Sequence, residues 1–242
     1  MGDSPTATLA VAREALFIQK QPEAALALLA PWLFDKNLAG MDKRQVFELV
    51  GMAHQRCRQF DEATRAFSAI GDHYQAGYAQ MLKGDLQQTG QLWQPLLALR
   101  QNHWAVWLFG LVSGTLKAMP TYLQLRNHLE ADLGHLLWAD QQKMIDSLLA
   151  YSDFLADVNY ESHKYIGRAF LNGGHYEKAR EFMLKGQRVL PNDPEVYYHL
   201  GEYFCAMDQP EQALLVLQQC IQMCPFYTPA KLLRQRLLPE NI

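Results

Sequence analysis

Cysteine is scarce in this chain. Only Cys57, Cys205, Cys220 and Cys224 occur in 242 residues, too few for a disulfide scaffold. Cys220 and Cys224 stand four apart and share a face if helical. No second pair or nearby histidine completes a metal set. They read as buried thiols, and no metal or other cofactor is expected. An excess of one charge is also missing: 22 basic residues stand against 25 acidic ones, net −3. A nucleic-acid partner is therefore not expected. The longest apolar run, Trp104 to Val112, is half of what a membrane span requires, so no membrane partner is expected either. The start, MGDSPTATLAVAREALF, has neither the basic region nor the apolar core of a secretory signal. Gly2 and Thr6 fit the permissive acylation pattern, but Asp3 and Pro5 make a poor example of it. A cytoplasmic location follows as the expectation. Motifs for a zinc protease, a nucleophile elbow, a phosphate loop and a dinucleotide fold are all absent. The eight histidines are dispersed. His128 and His135 would share a helix face, but Glu130 and Asp132 do not complete a metal set with them. No enzyme is expected.

Apolar residues make up 49% of the chain and charged residues 19%, enough for a sizeable core. The clearest pattern is a repeat. One unit begins at Tyr160 and the next at Pro194, 34 residues on. Ile166 aligns with Leu200, Gly167 with Gly201, Phe170 with Phe204, Ala179 with Ala213, Met183 with Leu217 and Pro191 with Pro225. In each unit a first helix presents an aliphatic–glycine pair and an aromatic on one face. Without a Cβ, the glycine lets a second helix come close. Asn172-Gly173-Gly174 and Met207-Asp208-Gln209-Pro210 supply the turns, and Pro210 suits a first helical position.

These residues resemble the tetratricopeptide repeat. The unit from Pro194 supplies Tyr197, Leu200-Gly201, Phe204, Ala213, Leu217, Cys220 and Pro225. The unit from Tyr160 supplies His163, Ile166-Gly167, Phe170, Ala179, Met183, Gly186 and Pro191. Weaker copies start at Arg44 (Phe47, Val50-Gly51, Ala63, Phe67), at Ile70 (Gly77, Thr89, Trp93) and at Thr6 (Ala25, Leu29, with Arg13 where glycine is usual). The resemblance implies an all-α, right-handed superhelical solenoid of helical hairpins. About fourteen helices are predicted: 4–20, 22–36, 42–58, 60–69, 71–83, 85–99, 102–117, 119–134, 138–157, 160–172, 175–190, 194–206, 210–223 and 226–238. As one solenoid domain over 1–242, it divides into degenerate repeats (6–100), an irregular segment with a break in stacking (101–158), two well-formed repeats (160–225) and a capping helix (226–238).

From Leu86 to Leu129 only Arg100, Lys117 and Arg126 are charged, and Trp93, Trp104 and Trp107 fall there. The stretch is either buried within the solenoid or an apolar self-association surface. Acids then cluster from Glu130 to Glu161 and bases from Lys164 to Arg188, as two faces that pair with each other or as one polar binding surface.

In the family the first helices line a concave face. Carried over residue by residue, that face includes Glu161, Lys164, Arg168, Asn172, Tyr198 and Glu202. The resemblance implies that these bind a segment of another protein. Asn172 suits a peptide backbone through its amide. Lys164 and Arg168, one turn apart, suit a carboxylate. The family's full chaperone-tail clamp is not matched, because Arg168 stands where asparagine is required. The expected function is a non-catalytic interaction scaffold or adaptor. The alternatives are a self-assembling subunit, and so a homo-oligomer, or a dedicated chaperone of an assembly-prone protein.

Overall fold

The computed structural model describes residues 5–36, 38, 40–98 and 103–238. The acylation pattern at Gly2, Arg100 and the predicted start of a helix at 102 lie outside the described residues. Among those residues there are fifteen α-helices, one 3-10 segment and no strand. The chain forms two compact units, Met1–Phe109 and Gly110–Ile242.

The first unit holds α1 (Pro5–Phe17), α2 (Pro22–Leu29), a 3-10 turn (Ala30–Phe34), α3 (Gly40–Arg56), α4 (Phe60–Ala69), α5 (His73–Lys83) and α6 (Leu86–Ala98). α1 pairs with α2, α3 with α4 and α5 with α6, and each pair packs on the next. The division between the units falls inside α7 (Trp104–Ser113). The second unit continues with α8 (Tyr122–Trp138), α9 (Gln142–Leu149), α10 (Ser152–Val158), α11 (Ser162–Asn172), α12 (Tyr176–Val189), α13 (Pro194–Ala206), α14 (Pro210–Met223) and α15 (Thr228–Leu237). α11 pairs with α12 and α13 with α14. α8 packs along α11, α11 touches α13 and α13 touches α15, so the first helices form one layer. Both units are stacks of α-solenoid hairpins.

Glycine creates the hairpin contact. A Cβ on Gly201 would stand 2.7 Å from Leu217 Cδ2, and one on Gly167 3.0 Å from Met183 Cε. A Cβ on Gly51 would lie 2.7 Å from the Phe67 ring, and one on Gly77 would collide with the Trp93 indole. The weaker copies therefore use the same seat, with larger side chains in it. In the first hairpin Arg13 is exposed, and buried Ala12 and Ala15 supply the small face instead.

The turns share one geometry. Lys20, Arg58, Gly84, Asp140, Gly174 and Asp208 all adopt positive φ, each two residues before the second helix of its pair. In five of the six a backbone N–H five residues on closes the turn onto the first helix, while at Lys20 the Gln21 N–H reaches the Ala15 carbonyl, six residues back. His175 donates to the Phe170 carbonyl at 2.9 Å, Gln209 to Phe204 at 2.9 Å and Gln141 to Leu136 at 3.0 Å. This is the six-to-one bond of a Schellman ending. Asp140, Gly174 and Asp208 are spaced by the repeat length, so α8 and α9 form a hairpin in the same register. The residues alone had hidden this unit. Leu133 occupies its glycine slot and Ile145 its alanine slot, both buried.

The predicted helix over 138–157 is two helices, α9 and α10, separated at Ala150–Tyr151. Met144, Ile145, Leu148, Ser152 and Leu155 are all buried. Their helical spacing continues across the interruption, so periodicity gave no sign of it. The predicted 119–134 runs instead from Tyr122, where Thr121 and Gln124 form a capping box, through Gly134 to Trp138. The predicted 22–36 ends as α-helix at Leu29 and tightens to 3-10. Trp93, Trp104 and Trp107 are buried, so the charge-poor centre presents no tryptophan surface.

Gly77→Ala tests the seat. The Trp93 indole is fully buried and donates to the Tyr74 carbonyl at 2.9 Å. Alanine is the better helix former by about 1 kcal/mol, yet overpacking should give a net loss of about 1–3 kcal/mol. Urea unfolding measures it, and an unchanged midpoint would count against the seat.

Candidate functional site

The six candidate contact residues fall on two first helices of the second unit: Glu161 at the start of α11, Lys164, Arg168 and Asn172 within it, and Tyr198 and Glu202 in α13. The 34-residue register places Glu130, Lys164 and Tyr198 at one position on successive helices. Gly134, Arg168, Glu202 and Arg236 occupy another.

Lys164 corrects an expectation. It is only 1% exposed, and its Nζ donates to Glu161 Oε1, Asp193 Oδ2 and Glu195 Oε2, each at 2.7 Å. The ammonium is saturated by internal acceptors and does not face a partner's carboxylate beside Arg168. Burial pushes its pKa down, but the bonds from Asp193, Glu161 and Glu195 outweigh burial and hold it above the ordinary lysine value. Burial also pushes Glu161 and Glu195 up. Lys164, with Tyr165 for Glu161, outweighs that and leaves both carboxyls below their usual value.

The cluster is built from short-range structure. Asp193 caps α13 by accepting from the Glu195 N–H at 2.9 Å. Asn159, fully buried, accepts from the Glu161 N–H at 2.9 Å and donates to the Tyr122 carbonyl at 3.2 Å. The three carboxylates lie close enough together to suit a cation, and the Lys164 ammonium fills that place.

Arg168 Nε meets Glu130 Oε1 at 3.3 Å, joining α11 to α8. Lys185 reaches Asp153 at 3.4 Å. The acidic and basic runs thus pair with each other at several points. On α13, Tyr198 Oη donates to Glu202 Oε1 at 2.8 Å, and His199 Nδ1 lies 2.6 Å from Glu202 Oε2. Burial raises the Glu202 carboxyl, but these two partners together hold it below the usual value. Tyr198 also meets the Tyr227 ring edge to face at 5.5 Å. Tyr227 sits in the turn before α15 and was missed from the sequence because it falls outside the two best units.

Asn172 is exposed and lines a cleft of about 470 Å³ between α8 and α11. Glu130, Gly134, His135, Leu137 and Trp138 form one wall, and Ala169, Gly173 and His175 complete the other. Gly134 and Trp138 had no signal in the sequence reading, since the unit that places them on this face was itself hidden.

The cysteines are free. Cys220 Sγ donates to the Pro194 carbonyl at 3.1 Å, and burial raises its pKa to about 11. It is a packed thiol in the small-residue slot. No described helix is long and apolar enough to cross a membrane.

Stacked helical hairpins, four of them seated on glycine and the three of the second unit in a 34-residue register, define a tetratricopeptide-like helical-repeat protein. No protein-family model and no curated protein matches the chain. Among solved structures it is similar to a chain in the crystal structure of the APC/C hetero-tetramer Cut9-Hcn1, at 16% identity and a TM-score of 0.39. That match covers 97% of this chain and 43% of the other, so this chain spans less than half of that protein's length. At that score the likeness adds nothing to the helix pairing described above.

Two substitutions probe the electrostatics. Lys164→Met leaves three carboxylates without their cation and should cost about 3–5 kcal/mol. In the wild type, Glu161 and Glu195 titrate below their unfolded values, so their contribution is present above the ordinary glutamate pKa and lost as pH falls through the folded values. In Lys164→Met the sign reverses: mild acid relieves the repulsion, and stability relative to wild type recovers. A variant whose deficit is the same at neutral and acid pH would contradict the assignment.

His163 gives a second test. It is buried, its Nδ1 has no hydrogen-bond partner, and its Nε2 lies 3.0 Å from Asp153 Oδ1. Burial outweighs Asp153 and lowers its pKa. The unfolded chain therefore takes the proton first, and stability falls as pH drops from about 6.5 toward the lower folded value. His163→Phe keeps a ring in the slot and should flatten that part of the unfolding-versus-pH curve.

Proposed function

We propose that the protein is a non-catalytic interaction scaffold whose second unit binds a segment of another protein along its first-helix face. The observation that carries this reading is the cleft between α8 and α11, with exposed Asn172 at its rim. It lies on the same face as the Tyr198–Tyr227 pair, Arg168 and Glu202. Paired aromatics and arginine are the residue types that anchor protein interfaces. The face is held by internal ion pairs, so little order is lost on binding. Lys164 and Glu161 take a supporting role: they join α11 to α13 and keep the face in shape. Asn172, Tyr198, Arg168 and Glu202 are the contact residues. Free thiols, one of them buried and hydrogen-bonded, suit a reducing compartment such as the cytoplasm. The self-association reading rested on the tryptophan-rich centre, whose tryptophans are interior.

Affinity capture from native lysate should compare three forms: wild type, Asn172→Ala with Tyr198→Ala, and Lys178→Glu in the other helix layer. Lys178 is an exposed residue paired with Glu181. A specific partner should be retained by wild type and by the Lys178 variant. It should bind the double variant about tenfold more weakly or worse. Equal retention by all three would place binding elsewhere.

A further inference from the structure

On α15 the stripe that seats a second helix in the earlier hairpins faces solvent. In the 34-residue register Lys231, Arg234, Gln235 and Leu238 hold the positions of Tyr197, Leu200, Gly201 and Phe204 on α13. The same positions on α11 are His163, Ile166, Gly167 and Phe170. On α11 and α13 this stripe is buried, or half-buried at Phe204, and it receives Met183 at Gly167 and Leu217 at Gly201. On α15 all four residues are exposed. α15 packs inward through a different stripe, Ala230, Leu233 and Leu237, against Tyr197, Leu217 and Cys220. With Ile221 of α14, the exposed stripe lines a groove of about 210 Å³.

The groove keeps an apolar floor in Ile221 and Leu238, and its charge has one sign. Residues 212–238 include Lys231, Arg234 and Arg236 and no acid, in a chain whose net charge is −3. Lys231 and Arg234 stand one turn apart, and neither meets a carboxylate among the described residues. Exposed bases elsewhere in the second unit are paired, Lys178 with Glu181 and Lys185 with Asp153. An extended polyanion needs a broader basic surface to neutralise many charges. Two free cations beside an apolar floor match a segment that carries both acids and an apolar anchor.

The other seats give the direction of such a segment. Early in α12 the His175 ring meets Phe170 at 6.0 Å. Met183 then lies on Gly167, and a Cβ on Gly186 would stand 3.5 Å from the Lys164 nitrogen. A seated helix thus advances from the Leu238 position toward the Lys231 position.

We infer that the α14–α15 groove takes an acidic amphipathic helix of a partner protein, seated on α15 as α14 is seated on α13. Its apolar anchor lies on Leu238 and Ile221, and carboxylates one and two turns further along meet Arg234 and Lys231. This surface is separate from the Tyr198 face, whose register positions on α15 are Leu232 and Arg236.

The test is selection of a phage-displayed random peptide library on the full chain, followed by titration of the synthetic consensus peptides. A consensus class is expected in which an apolar residue is followed by acids about four and seven residues on. It should bind Lys231→Glu/Arg234→Glu about tenfold more weakly or worse, bind Tyr198→Ala as well as wild type, and weaken as salt is raised. The double variant should unfold at the same urea concentration as wild type, because neither side chain has an internal partner. Lysines in place of the peptide's acids should restore binding to it.

Scrambled peptides of the same composition that bind equally would overturn the seated helix in favour of unspecific charge attraction. Peptides that bind only after deletion of 239–242 would assign the groove to this chain's own end. A concentration-dependent mass in sedimentation, abolished by the double variant, would assign it to a second copy. Peptides sensitive to Tyr198→Ala alone would overturn the groove and leave the scaffold reading standing. No peptide sensitive to the double variant would overturn the groove outright.

Discussion

The whole architecture depends on how closely two helices of a hairpin can approach. Where the first helix lacks a Cβ, a large side chain of the second helix lies on the bare backbone. Gly51 with Phe67, Gly77 with Trp93, Gly167 with Met183 and Gly201 with Leu217 are four versions of this contact. The close approach fixes the tilt of each pair and therefore the surface offered to the next one. The left-handed residue in each turn completes the constraint by returning the chain along the first helix with its last carbonyls satisfied. α8 and α9 keep the turn but lose the glycine. The register therefore survives there while the second helix breaks into α9 and α10.

Ionic contacts act at a second level, between hairpins. Lys164 on α11 gathers Glu161 from its own helix and Asp193 and Glu195 from the start of α13. Arg168 reaches back to Glu130 on α8. Apolar packing, which has no direction, tolerates some sliding between neighbouring pairs. A buried ammonium with three acceptors at 2.7 Å does not, and a buried charge left without partners is costly. These contacts hold three successive first helices in one layer, and the proposed binding face is the outer side of that layer. Sequestering Lys164 also changes the character of the face. The charges still presented are those of Arg168, Glu202 and the helix ends around the α8–α11 cleft.

Much of the fold was legible in the residues. The close helix approach at Gly167 and Gly201 was readable because the glycine recurs at the repeat spacing, while the side chains that fill it, Met183 and Leu217, appear only in the structure. Proline at a first helical position, Pro210, marked α14 for the same local reason. The site was legible only as a face. The register located Glu161, Lys164, Arg168, Asn172, Tyr198 and Glu202 on one side of their helices. It did not reveal that Lys164 turns inward, because its acceptors Asp193 and Glu195 belong to the following hairpin. Trp138 and Gly134 were invisible for a related reason: their unit carries Leu133 and Ile145 where the pattern needs small residues.

Residue identity and spacing alone specify an all-helical chain, the pairing of its best repeats and the small-residue seats. All of these follow from residue identity and spacing within about one hairpin. Which charges are internal, where α9 gives way to α10 and that a cleft lies beside Gly134 emerge only in the folded chain. Each of these depends on atoms that meet across helices far apart in the chain. Spacing along a single helix cannot report what lies on the other side of it.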